Sequence, residues 1–155
     1  MELTTEQLGT LKTYLAANHS ALQDEEAAAA MNAVASPDFT VWKPSVSDAE
    51  IMQNGFNWTR VDNLSVGKAR IWDWMFRFGT INPTNTNIRA GIDAVWVGTQ
   101  ADLDVRAAVY VHCKRLATFA EKLFAAGTGS DAVPATMTAS GLLTAQNVGN
   151  ARGLP

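Results

Sequence analysis

The residues that could do chemistry are few and poorly grouped. His112 and Cys113 are adjacent, so on a helix they point about 100° apart, and Cys–His nucleophilic catalysis needs the two side chains to meet. The chain has two histidines and one cysteine, and the other histidine, His19, lies far away in sequence. No second His–Cys set completes a zinc site. His112 reads as a core or interface histidine and Cys113 as a small buried hydrophobe. Val66-Gly67-Lys68-Ala69 resembles the end of a phosphate-binding loop, but it lacks the upstream glycine and the Ser/Thr after lysine. Gly127-Thr128-Gly129-Ser130 offers backbone N–H groups, but it follows a helix instead of opening one. It therefore sits at the wrong end of the dipole for an anion, and a helix C-cap and hinge is the simpler reading. Asp24-Glu25-Glu26 and the pair Asp102 and Asp104 stand at helix starts, where carboxylates offset the dipole. Lys114, Arg115 and Lys122, with Arg106 near them, form a modest basic patch. It is either a solvated face or a contact for an acidic partner or passing nucleic acid. From these residues we expect no catalytic group, no metal and no cofactor.

The elements that must position these residues are organised around Ser65–Gly79. Ser65 can cap a helix and Gly79 can end it in a left-handed turn. Arg70, Asp73 and Arg77 fall on one narrow stripe and can satisfy their own charges. Ala69, Ile71, Trp72, Trp74, Met75, Phe76 and Phe78 take most of the remaining circumference. Such a helix is expected to be deeply packed, with neighbours on several sides. Trp72 and Trp74 lie about 200° apart, so both can be buried only if packing exists on both sides. The covering is expected from the chain's other helices or from a partner subunit. The five tryptophans, Trp42, Trp58, Trp72, Trp74 and Trp96, are a heavy load for core or interface, and Trp is enriched at interface hot spots.

Along the chain, Thr4 and Gln7 form a capping box before an amphipathic helix reaching about Asn18. Gln23–Ala35 reads as an alanine-rich helix whose small face allows close helix approach, and Ser36-Pro37 stops it. Asp38–Pro44 is a short edge strand or an extended segment. Ser47 and Glu50 open a short helix ending before Gly55, and a packed linker carrying Trp58 follows. After a turn-rich loop, Thr86 or Asn87 caps a helix with Ile88, Ile92, Val95 and Trp96 on one side. One long helix is expected from about Gln100 to Ala126. The remainder, with small and polar residues and no aromatic, cannot bury enough area to fold alone. It is either disordered or an arm that orders against another subunit. The expected fold is all-α, a bundle of five to six helices over residues 1–127, with an extended C-terminal arm over 128–155.

With 155 residues the chain is one domain's length and can bury a sizeable core. The net charge of -3 gives no global basic footprint for wrapping nucleic acid. A single cysteine excludes an internal disulfide. The N-terminus lacks a basic region followed by an apolar run, so no signal peptide is expected. No stretch approaches the length of an apolar membrane span.

Four stretches carry a resemblance: GFNWTRVDNLSVGKARIWDWMF, INPTNTNIRAGIDAVW, RAAVYVHCKRLATFAEKLFAAGTGS and PATMT. From about Ser36 to Arg152 the chain resembles a family of small proteins from the structural gene clusters of tailed bacteriophages and prophages. Within these it is similar to the head-to-tail connector or adaptor (head completion) proteins. The resemblance implies a mostly helical subunit of a ring, usually twelvefold, beneath the portal in the neck of the virion, assembled in the host cytoplasm. The ring continues the DNA channel and gives the tail or stopper protein its docking surface. The implied partners are the portal protein, a tail or stopper protein, other copies of the chain, and genomic DNA passing without sequence-specific binding. No membrane partner and no catalytic residue come with it. On this reading, subunit or portal contact is expected at Trp42, Trp58, Arg60, Arg115, Lys122 and the arm around Met137. The rival readings are a tail-completion or capsid-accessory protein, a nucleotide-binding factor using Lys68 or His112, and a packaging factor binding duplex through Arg106, Lys114, Arg115 and Lys122.

Overall fold

In a computed structural model that describes residues 1–53 and 56–155, the chain is mostly helical. In order, the elements are α1 (Thr5–Asn18), α2 (Asp24–Asn32), β1 (Thr40–Trp42), β2 (Val46–Ser47), α3 (Asp48–Ile51), α4 (Trp58–Asp62) and α5 (Val66–Phe76). There follow β3 (Thr80–Ile81), α6 (Thr86–Val95), α7 (Gln100–Cys113), β4 (Lys114–Leu116), α8 (Phe119–Leu123), β5 (Ala125–Ala126), β6 (Thr136–Met137) and α9 (Ala145–Arg152). Among the described residues the strands form three two-stranded ladders, β1 with β4, β2 with β3 and β5 with β6. The fold is therefore not purely all-α. The short helix expected to open at Ser47 and end before Gly55 runs Asp48–Ile51.

Contacts divide the chain into two units. Unit 1 joins Met1–Val41 to Leu116–Pro155, and unit 2 is Trp42–Arg115. The expected boundary between residues 127 and 128 falls inside unit 1.

Unit 1 is built on α1, α2 and α9. Thr4 accepts from the Gln7 backbone N–H and Gln7 returns a bond to the Thr4 N–H, which fixes the start of α1. Leu11, Leu15, Ala27, Ala28 and Met31 form a core with Ala120, Leu143, Val148 and Ala151. The C-terminal segment, expected as an extended arm, instead carries α9 and packs on its own unit. Its side chains are small, but α2 presents an equally small face, and small faces bring helix axes close. At Gly149 a Cβ would lie 3.0 Å from Asp24 Oδ2. Polar bonds add to the fit. Asn32 Nδ2 donates to the Leu143 carbonyl and Asn32 Oδ1 accepts from the Leu143 N–H, both at 2.8 Å. Arg152 pairs with Asp24 and donates to the carbonyls of His19 and Leu22.

The long helix expected from Gln100 to Ala126 ends at Cys113. Lys114 turns extended, at φ -129 and ψ 161, because β4 pairs with β1. Helix then restarts at α8, where Thr118 and Glu121 close a capping box. Glu121 is buried and also accepts from the Gly141 N–H.

Unit 2 packs α3, α5, α6 and α7 around Ile51, Trp72, Ile92, Val95, Trp96, Val105 and Val109. Trp72 is 6% exposed. Its ring meets Trp96 edge-on at 5.3 Å and Phe76 at 4.9 Å. Trp72→Ala is expected to cost unit 2 about 3–5 kcal/mol, as for other buried aromatic truncations. A denaturant melt of the full chain measures it.

Candidate interaction surface

Helix α5 starts where its sequence places it. The Ser65 hydroxyl accepts from the Lys68 backbone N–H at 3.4 Å, and Gly79 takes a left-handed φ of 78° after the last turn. Its burial differs from expectation. Trp72 is the only buried residue of α5. Trp74 is 65% exposed and Phe78 is 90% exposed, and Val66 and Ile71 are exposed as well. The 200° between the two tryptophans decides this. One side of α5 faces the unit 2 core through Trp72 and Phe76, and among the described residues no element of unit 2 covers the other. Two apolar faces on a helix need two layers of neighbours, and here one layer is present.

The outward face is ordered. Gly67, Ile71 and Trp74 follow a four–three spacing along one side of α5, and Phe78 stands exposed in the turn that follows the helix. Arg70 and Arg77 flank the seam, and the Arg77 guanidinium lies 5.6 Å from the Trp74 ring centre. Beside the seam a groove of about 480 Å³ runs between α5 and α6, lined by Gly67, Ile71, Trp74, Met75, Ile88 and Gly91 among others. The two glycines keep it open. At Gly91 a Cβ would stand 2.9 Å from Met75 Sδ. Exposed apolar patches of several hundred Å² mark contact sites on soluble proteins.

The residues expected at a contact are distributed as follows. Trp58 is 55% exposed and leans edge-on against Phe56 at 5.1 Å. Trp42 is half-buried, with the Tyr110 ring tilted against it at 5.5 Å and the Arg89 guanidinium over its ring at 5.0 Å. Arg60 is held inside unit 2. Its Nη2 lies 2.6 Å from Asp102 Oδ1, and its Nε donates to the same oxygen at 3.1 Å. Arg115 sits in β4, half-buried. Lys122 Nζ stands 5.5 Å from the Phe39 ring centre and donates to the Pro37 carbonyl. Met137 lies in β6 opposite Ala125 and packs against Val41, Ala117 and Ala135. Trp58 is thus the member of this set with large exposed apolar area. The seam through Ile71, Trp74 and Phe78 was missed as an exposed surface.

The groups with chemical potential are engaged elsewhere. Cys113 is fully buried, and desolvation pushes its thiol up to about 12, far from the thiolate range that nucleophilic or ligand chemistry needs. Lys68 Nζ donates to the Val97 carbonyl at 3.0 Å. At Gly129 a Cβ would overlap the Phe39 ring, so that loop is packed. Among the described residues no group of three or more His, Cys, Asp or Glu could hold a metal ion. No described helix is long and apolar enough to cross a membrane. No family model, no curated protein and no solved structure matches the chain.

The Arg60–Asp102 pair gives a pH signature. The Arg60 guanidinium, with the Thr99 hydroxyl and N–H, holds the Asp102 carboxyl down at about 2 from an ordinary 3.8. A carboxylate lowered in the fold contributes stability that is complete above the unfolded value. That stability is lost as pH falls through the folded one. The contribution of Asp102 is therefore expected to hold down to roughly pH 4 and to vanish towards pH 2. Arg60→Met should raise the Asp102 titration midpoint and move acid unfolding to higher pH. An NMR titration of the Asp102 carboxyl carbon reads this directly.

Proposed function

We propose that this protein is a virion structural protein of a tailed bacteriophage, a subunit of the adaptor ring that joins the portal to the tail and continues the DNA channel. The observation that carries the reading is the uncovered aromatic seam of α5. A helix with two apolar faces and one layer of cover is a helix built for a neighbour, and the ring supplies one. The helix bundle is then completed between subunits, with neighbouring helices closing over Ile71, Trp74 and Phe78. The four stretches that resemble the connector family support the same role. The net charge of -3 suits a channel wall, since like charge keeps a sliding duplex from adhering. The partners on this reading are the portal, a tail or stopper protein, other copies of the chain, and DNA in transit. The site of action is the virion neck after assembly in the host cytoplasm, and the role requires no catalysis and no cofactor.

The test is the mass of the protein in solution, alone and mixed with the portal protein of the same genome. A stoichiometric ring on the portal is the expected result. A chain that ignores the portal would overturn the adaptor reading and direct the search to tail or capsid sites.

A further inference from the structure

A ring needs two different surfaces on each copy, one to give and one to receive. We infer that the α5 seam of one copy docks on the outer face of α7 in the next, with the Ala107–Val111 edge entering the α5–α6 groove. This rests on the ring reading above and names the surfaces that make it.

Three observations lead to α7. The first is spacing. Gln100, Asp104, Ala107 and Val111 are all exposed and line one side of α7, as Gly67, Ile71 and Trp74 line one side of α5, opposite the buried Val105, Val109 and Cys113. Two seams of equal pitch can interdigitate along their length. At 14 residues, α7 also spans the 11 of α5. The second is shape. The α5 seam is a ridge of Ile71, Trp74 and Phe78, whereas Ala107 leaves the middle of the α7 face low. Val111, 62% exposed, is an apolar side chain in solvent, and it matches the apolar groove beside the ridge. The third is charge. Arg70 and Arg77, with the exposed Asp73 between them, rim the ridge with one net positive charge, and Asp104 stands in the α7 seam, tied by Gln100 Nε2 at 2.8 Å. The two faces are separate surfaces of unit 2, since α5 packs on α6 and α7 packs on α3 and α4. The contact is therefore head-to-tail and can propagate.

The experiment mixes two full-length variants and follows them by sedimentation at high protein concentration. Trp74→Glu removes the giving face, and Ala107→Arg blocks the receiving face with bulk and with charge like that of Arg70. Both positions are exposed, so both variants keep the fold, and circular dichroism checks this. Wild type is expected to form species larger than a dimer. Each variant alone should stay monomeric, and the mixture should stop at a one-to-one pair, because one good face remains on each. Self-association of Ala107→Arg like wild type, or a mixture without pairs, overturns the inference. So does a wild-type chain that stays monomeric at every concentration. If Ala107→Arg still forms rings on the portal, the adaptor role stands and the α7 assignment falls.

Discussion

A Trp74→Glu chain is expected to lose ring formation on the portal while melting at the wild-type temperature. Trp74 is two-thirds exposed, and its ring is flanked on the surface by Arg77. Its removal takes little from the core, so stability should change by no more than about 0.5 kcal/mol, as for other surface positions. In the proposed ring the same indole is the largest side chain of the contact. A central aromatic anchor is worth about 2 kcal/mol or more at an interface. A carboxylate in its place adds a desolvation cost. Each contact should weaken by at least about thirty-fold, and a ring repeats the loss at every junction. Sedimentation with the portal and a thermal melt are the two measurements. Unchanged rings would remove α5 from the interface. A lowered melting temperature would mean that Trp74 serves the fold instead.

Truncation after Ser130 is expected to unfold unit 1 and leave unit 2 folded. The deleted residues include Ala135, Ala139, Leu143, Val148 and Ala151, all buried. Leu143 and Val148 alone account for roughly 1.5–3 kcal/mol each of lost burial. Their removal also bares the α2 face and leaves Asn32 and Asp24 without Leu143 and Arg152. Domains carry only about 5–15 kcal/mol in total, so this loss is decisive for unit 1. Hydrogen exchange should find α1 and α2 unprotected and α6 and α7 protected. Retained protection in α1 and α2 would show that the C-terminal segment is dispensable for the fold.

Local chemistry was legible in the sequence. The capping boxes at Thr4 and Ser47 and the cap at Ser65 all open helices at those points. The small face of α2 predicts close helix approach, and α9 makes that approach. What was not legible depended on partners distant in sequence. Continuous helical periodicity through Lys114 gave way to an extended segment because β1 lies alongside, and tertiary pairing overrides local propensity. The Thr118–Glu121 box was present in the sequence, but the unbroken apolar stripe masked it. The tail held too little apolar area to fold alone, and that remained true. It folds because α1 and α2 supply the other half. For α5, the pattern showed that two faces need cover but could not say whose atoms cover them. The same blindness hid the surface, since exposed and buried aromatics look alike in a sequence.

The division of the chain into one continuous unit and one split unit gives synthesis a direction. Residues 42–115 leave the ribosome together, and unit 2 can close while the remainder is still being translated. The α1–α2 pair is made earlier but must wait for α9, which is made after unit 2. On a translating ribosome the aromatic ridge is therefore on display before the other half of the molecule is complete. A message broken between unit 2 and α9 would yield a chain with a finished α5 ridge and an unfinished unit 1, which on the proposed ring reading could enter an assembly and spoil it.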